Sequence, residues 1–84
     1  MHRISVTEVS NAGEYVISKL PEYWQRFYLP ILPRISEEIS WIYLKGGTVV
    51  DIGGGSGFHS AVCAKLGMKA INVDNFKIEG INII

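Results

Sequence analysis

The sequence contains a single cysteine, Cys63, among its 84 residues. One cysteine cannot form an intrachain disulfide, and it leaves the cysteine-based metal-binding patterns short of ligands. We therefore predict no metal site, and a chain without disulfides fits a reducing, cytoplasmic location. The length allows one small domain with a single core.

The sequence also has no net charge, because eight Lys and Arg residues balance eight Asp and Glu residues. A neutral chain has no general basic field to attract nucleic acid or an anionic membrane. We predict neither as a partner. The composition, 48% hydrophobic and 19% charged, is close to that of globular domains, which argues against a wholly disordered chain.

Long apolar runs are missing as well. The most apolar region, residues 24–44, is interrupted by two prolines and four charged residues, whereas a spanning helix needs roughly 20 apolar residues. Residues 1–8 alternate polar and apolar side chains and lack the apolar core of a signal peptide. We expect no transmembrane segment and no secretion.

Three prolines and a glycine pair divide the first half of the chain. Asn11 and Glu14 have the spacing of a capping box, which predicts a first helix from about Ala12 to Leu20. A second helix is expected from Glu22 to Leu29, ending there because Pro30 disfavours helical geometry in the residue before it.

A third helix is expected to begin at Pro33. Three isoleucines recur along it at helical spacing and predict a buried stripe, with the polar residues facing elsewhere. The predicted stripe is Ile35, Ile39 and Ile42, and the predicted outward residues are Glu37, Glu38 and Ser40.

The second half has the pattern of a β-α-β unit. The β-branched run Thr48–Ile52 and the run Ala70–Asp74 predict two buried parallel strands. Apolar residues at helical spacing from Phe58 to Leu66 predict the crossover helix, with Gly67 at its C-terminal cap. We therefore predict an α/β protein, with an N-terminal helical segment at 1–47 and the β-α-β unit at 48–84. The tail at 77–84 is ambiguous, although Ile81, Ile83 and Ile84 could begin a third strand.

Glycines at positions 53, 55 and 57 separate the first strand from the crossover helix. Glycine permits positive φ and lets a ligand approach the backbone, while a helix N-terminus offers unpaired N–H groups. A ligand-binding loop is the favoured interpretation, and a tight turn without a ligand is the alternative.

Two phosphate-binding motifs fit this loop poorly. A nucleoside-triphosphate P-loop needs Lys and then Ser or Thr after its last glycine, where the chain has Phe58 and His59. A dinucleotide fingerprint needs glycine at 58 or at 60, where Phe58 and Ser60 stand. Asp51 would also repel a pyrophosphate, whereas it would attract a cationic ligand. Dinucleotide binding for an oxidoreductase remains a weaker possibility.

The segment from Val49 to Gly57 resembles the first motif of class I S-adenosylmethionine-dependent methyltransferases: an apolar strand, an acidic residue and alternating glycines. The resemblance implies that Gly53, Gly55 and Gly57 admit the methionyl part of the cofactor, and that Asp51 favours its ammonium group. It also implies that the acidic residue ending the second strand, Asp74, accepts hydrogen bonds from both ribose hydroxyls, for which a carboxylate is well suited.

The resemblance implies a Rossmann-like fold whose later strands carry adenine contacts and most catalytic groups, and residues 77–84 cannot supply them. We thus expect the S-adenosylmethionine-binding N-terminal portion of a methyltransferase, truncated and inactive alone, with catalytic residues and methyl acceptor unknown. The alternative is a noncatalytic interaction module that keeps the β-α-β unit. In either case a second chain, or self-association, is expected to cover an open sheet edge beside Ala70–Asp74.

Other chemically suggestive residues have simpler interpretations. His59 is expected to be a polar residue of the first helical turn, and Cys63 a small buried hydrophobe. Aromatic residues at helical spacing are expected to serve packing, although they could instead form a substrate-binding lid. They are Trp24, Tyr28, Trp41 and Tyr43.

Overall fold

The computed structural model describes residues 3–52, 57–74 and 77–80. The chain forms two compact units, Met1–Ile42 and Tyr43–Ile84. The first is helical and the second combines helix and sheet, so the chain as a whole is of mixed α/β class.

The first unit consists of three α-helices and one short 3₁₀ helix. They are α1 (Val6–Ser18), α2 (Glu22–Tyr28), the 3₁₀ helix Leu29–Ile31 and α3 (Leu32–Ile42). Helices α1 and α3 pack against each other. Their apolar faces, together with Tyr28 at the end of α2, form the core of this unit, composed of Val9, Ala12, Val16, Ile17, Tyr28, Leu32, Ile35 and Ile39.

The first helix begins earlier than the sequence pattern predicted. Ser5 is its N-cap, and the Ser5 hydroxyl accepts a hydrogen bond from the backbone N–H of Glu8 at 3.1 Å. Asn11 therefore lies inside the helix, and the prediction that it caps the helix was wrong. Ser5 and Glu8 have the same capping-box spacing and stand in front of a longer apolar stripe.

Pro30 does not stop the helical path. It lies within the 3₁₀ helix, which carries the chain from α2 directly into α3. Ile35 and Ile39 are buried as predicted, but Ile42 is 54% exposed and Ser40 is fully buried. These two predictions were wrong because the N-terminal segment covers the Ser40 side of α3. The Ser40 hydroxyl donates to the carbonyl of Ile4, and the N–H of Arg3 donates to the carbonyl of Ser40.

The second unit has the element order β1 (Thr48–Ile52), α4 (Phe58–Lys65), β2 (Lys69–Asp74) and β3 (Lys77–Gly80). Strands β1 and β2 are parallel and joined through α4, which confirms the predicted β-α-β unit. Helix α4 ends as expected, with Gly67 in the left-handed region at φ +94°.

Burial alternates along the two parallel strands. Val49 pairs with Ala70 and Asp51 pairs with Asn72, and residues directly paired in a sheet share a face. This face packs against α4. On the other face of β1, Val50 is 53% exposed and Ile52 is 82% exposed.

Strand β3 changes the predicted edge of the sheet. It pairs antiparallel with β2, from Ile71 opposite Gly80 to Asp74 opposite Lys77. The expectation of an open edge beside Ala70–Asp74 was therefore wrong, because β3 pairs with β2 along that edge. The described sheet has the order β1-β2-β3, which makes β1 an edge strand. Ile81, Ile83 and Ile84 lie outside the described residues.

Among the described residues, no helix combines the length and the apolar character needed to cross a membrane.

Candidate functional site

The candidate site lies where β1 ends and α4 begins. Gly57 is the N-cap of α4, with φ +81° and ψ +19° in the left-handed region. The first helical hydrogen bond runs from the N–H of Ala61 to the carbonyl of Gly57 at 2.8 Å. A side chain at Gly57 would be strained in this conformation, so the glycine is required by the backbone itself.

The structure describes only part of the predicted cofactor-binding set. Gly53 and Gly55 lie outside the described residues. Asp51 is on β1, Gly57 begins α4, and the backbone of Asp74 ends β2, while the side chain of Asp74 is not described. Because carboxyl ends of parallel strands meet at one edge of a sheet, Asp51 and Asp74 stand near the same edge.

Asp51 is half-buried on the sheet face that α4 covers. The hydroxyl of Ser60, in the first turn of α4, donates a hydrogen bond to Oδ2 of Asp51 at 3.4 Å. Ser60 itself is fully buried. The carboxylate is therefore held at the junction of strand and helix, with one of its two oxygens contacted by α4.

Cys63 lies one turn further along α4 and is buried as predicted, with 1% of its surface exposed. Burial, and next the negative charge of Asp51, raise the pKa of the Cys63 thiol from its ordinary value of 9.0 to about 11. A thiol with this pKa is almost entirely protonated at neutral pH. It has the character of a packing residue and not of a nucleophile.

Asn72 is a member of this site that the sequence analysis missed. It is 6% exposed and is the register partner of Asp51 on the neighbouring strand. Its side-chain oxygen, Oδ1, is buried and has no hydrogen-bond partner within the part of the chain that the structure describes. The signal available in the sequence was a polar residue in the middle of the apolar run Ala70–Val73.

Asp51 is thus the common neighbour of three buried side chains. Ser60 donates a hydrogen bond to it, its negative charge helps to raise the pKa of Cys63, and Asn72 lies opposite it in the sheet. Two of these groups, the Asp51 carboxylate and Asn72 Oδ1, are acceptors, so the arrangement suits a ligand that donates hydrogen bonds or carries positive charge. Across residues 3–52, 57–74 and 77–80, no group of three His, Cys, Asp or Glu side chains could hold a metal ion.

The aromatic residues of α2 contact one another. Trp24 stacks on Tyr28 with ring centroids 5.7 Å apart, and Phe27 meets Tyr28 edge-on at 5.0 Å. In the second unit, the hydroxyl of Tyr43 donates to the carbonyl of Leu66 at 3.4 Å. Packing therefore accounts for Trp24, Tyr28 and Tyr43, whereas Trp41 is 48% exposed.

Comparisons with protein-family models, with curated proteins and with solved structures found no match to this chain.

Proposed function

We propose that the β-α-β unit binds S-adenosylmethionine, as the cofactor-binding portion of a methyltransferase with a Rossmann-like arrangement of β1, α4 and β2. The observation that carries the proposal is the position of Asp51. It lies near the end of a parallel strand, two residues before a glycine-rich segment and beside the first turn of a helix that begins at a left-handed glycine.

The topology supports a ligand at this place. In open α/β sheets, ligands bind beyond the carboxyl ends of the parallel strands, next to the helix N-terminus that follows the first strand. Strands β1 and β2 are parallel and α4 connects them. Gly57, which is buried, leaves the approach to α4 without a side chain.

The electrostatics favour a cationic ligand over a pyrophosphate. Asp51 brings a negative charge to the site, and Asn72 adds a buried acceptor oxygen without a described partner. Both features repel phosphate oxygens and suit an ammonium group. The methionyl end of S-adenosylmethionine carries such a group, so these residues fit this cofactor.

The roles of the chain's residues follow from this fit. Asp51 would face the ammonium group, Gly57 would allow close approach of the methionyl part, and Asp74 would accept hydrogen bonds from the two ribose hydroxyls. The cofactor itself supplies an activated methyl group on its sulfonium. The protein would contribute binding and orientation, which are the main requirements for a direct group transfer.

The proposal covers the chain from β1 to β2. In doubly wound folds, the strand beside β2 arrives through a second crossover and runs parallel to it. Here β3 is the strand that follows β2 in the chain, and it pairs with β2 antiparallel. We therefore place no methyl-acceptor site on the described residues, and we expect no methyl transfer by this chain alone.

A second candidate function is an interaction module, and the exposure of β1 favours it. Val50 and Ile52 present apolar side chains to solvent, and β1 is an edge strand of the described sheet. Edge strands with exposed apolar residues pair readily with other chains. A second copy of this chain, or another chain that adds strands beside β1, would cover them.

Ligand titration tests the first function and sedimentation the second. Calorimetry with S-adenosylhomocysteine, the demethylated product of the cofactor, should give saturable binding, and a parallel titration with NADH should give none. Saturation by NADH alone would replace the methyltransferase proposal with dinucleotide binding. Sedimentation as a monomer at all concentrations would remove self-association through β1.

A further inference from the structure

Asn72 is the buried polar residue of the second unit whose position the fold does not explain. The residue is only 6% exposed, yet its side-chain oxygen Oδ1 makes no hydrogen bond within the described residues. A buried acceptor without a partner opposes folding, and an apolar side chain of similar size would avoid the cost. Such unsatisfied groups in folded proteins call for an explanation, of which a ligand is one.

The residue opposite Asn72, Asp51, indicates which kind of hydrogen-bond donor the ligand carries. Asn72 and Asp51 are register partners on adjacent parallel strands, which places their backbones about 4.8 Å apart. Both belong to the face that α4 covers. Asn72 is buried, whereas Asp51 is half-buried and reaches solvent. Asn72 is thus the in-register cross-strand neighbour of the carboxylate that an entering group meets first.

The hydrogen bond from Ser60 leaves the other oxygen of the Asp51 carboxylate for a ligand. The Ser60 hydroxyl donates to Oδ2 of Asp51, so the carboxylate receives one donor from the protein. A ligand with a single donor could be satisfied by the remaining carboxylate oxygen alone. A protonated primary amine has three N–H donors and can use the carboxylate and the amide oxygen together.

We propose that Asn72 is a specificity-determining residue, which with Asp51 selects ligands that carry a protonated primary amine. This inference rests on the proposed function and adds to it a residue outside the sequence motif. Asn72 is retained in the strand despite its cost to stability because its amide oxygen accepts a hydrogen bond from the bound amine.

The test compares two adenosine thioethers that differ in the amino-acid portion, which includes the amine. S-adenosylhomocysteine carries it, and 5′-methylthioadenosine lacks the whole amino-acid portion. Asn72→Leu replaces the amide with an apolar group of similar volume. We expect this variant to bind S-adenosylhomocysteine about tenfold more weakly, which corresponds to the loss of one hydrogen bond to a charged group, and to bind 5′-methylthioadenosine as the wild type does.

Thermal unfolding gives a second readout that does not depend on any ligand. Because it removes an unsatisfied buried oxygen, Asn72→Leu should have a higher Tm than the wild type, by about 4–8 °C for each kcal/mol gained in a chain of this size.

Ile71→Leu, a size-conserving change at the adjacent strand position, is the matched control and should leave the preference between the two thioethers unchanged. Asn72→Val, whose β-branched side chain suits a strand, is measured in parallel so that at least one folded variant is compared.

The outcomes separate this inference from the function on which it rests. Wild-type protein that binds neither thioether overturns the proposed function and this inference with it. A different result overturns the inference alone. In that case wild-type protein binds both thioethers, and an Asn72 variant either keeps the wild-type preference or binds both thioethers more weakly by the same factor. A lower Tm in both Asn72 variants also overturns it, because the amide would then be a satisfied part of the fold.

Discussion

Ser60 in the first turn of α4 donates its hydroxyl hydrogen to Oδ2 of Asp51, the penultimate residue of β1, across 3.4 Å. This contact connects the two elements that flank the glycine-rich segment. It also accounts for a fully buried serine on a helix face that otherwise carries apolar residues.

Replacing Ser60 with alanine should weaken this connection. Because the hydrogen bond is long and Asp51 still reaches solvent, we expect Ser60→Ala to lower the free energy of unfolding by only about 0.5–1 kcal/mol. Urea unfolding followed by circular dichroism measures the change. In an Asp51→Asn background the same substitution should cost less, and strictly additive effects of the two substitutions would show that the contact contributes nothing.

The Cys63 thiol should respond to alkaline pH. Its pKa is raised to about 11 in the folded protein, by burial and then by the charge of Asp51, against 9.0 ordinarily. The unfolded state therefore loses its thiol proton first as pH rises. The stability linked to this group is complete below about pH 9 and is lost as pH increases towards about 11.

The measurement compares wild type with Cys63→Ala by urea unfolding between pH 8 and pH 11, where the variant removes the thiol and keeps the other titrating groups. We expect the stability of the wild type to fall more steeply than that of Cys63→Ala. Native protein should also react with iodoacetamide much more slowly than urea-unfolded protein at pH 8. Parallel pH profiles of the two proteins, or equal rates of alkylation in both states, would contradict the assignment.

Gly13 should resist substitution because of Leu32. A Cβ at Gly13 would lie 2.5 Å from Cδ1 of Leu32, which is buried between α1 and α3. Alanine gains up to about 1 kcal/mol in helix propensity, but overpacking costs about 1–3 kcal/mol. We expect Gly13→Ala to destabilise the protein by about 1 kcal/mol in thermal or urea unfolding.

Leu32→Ala provides the matched background for that test. It removes the contacted atoms, so Gly13→Ala made in this background should be stabilising by helix propensity alone. The same sign of effect in both backgrounds would show that Leu32 does not limit the residue at position 13.

The sequence predicted the centre of the second unit well because several local signals agree there. The β-branched run of β1, the apolar spacing of α4 and the positive φ required at Gly67 all indicate the same β-α-β unit. Agreement of local pattern and global fold makes such segments predictable.

Features that depend on contacts between distant residues were missed. Ser40 is buried because residues 3 and 4 bond to it, and Ile42 is exposed on the same helix. β3 is a short polar segment, Lys77–Gly80, that becomes a strand by pairing with β2. Asn72 has no local pattern that reveals its unpartnered oxygen, because that property follows from tertiary packing.

The most direct test of cofactor binding is titration of the full chain with S-adenosylhomocysteine, using Asp74→Ala and a charge-matched control. Asp74 ends β2, and the loss of a carboxylate that accepts from two ribose hydroxyls should weaken binding by about 1–3 kcal/mol. Glu14→Ala removes one negative charge from an exposed position of α1 and should leave the Kd unchanged. We expect saturable binding by wild type and Glu14→Ala, with a clearly higher Kd for Asp74→Ala. No binding by wild type, or the same Kd for all three proteins, would contradict it.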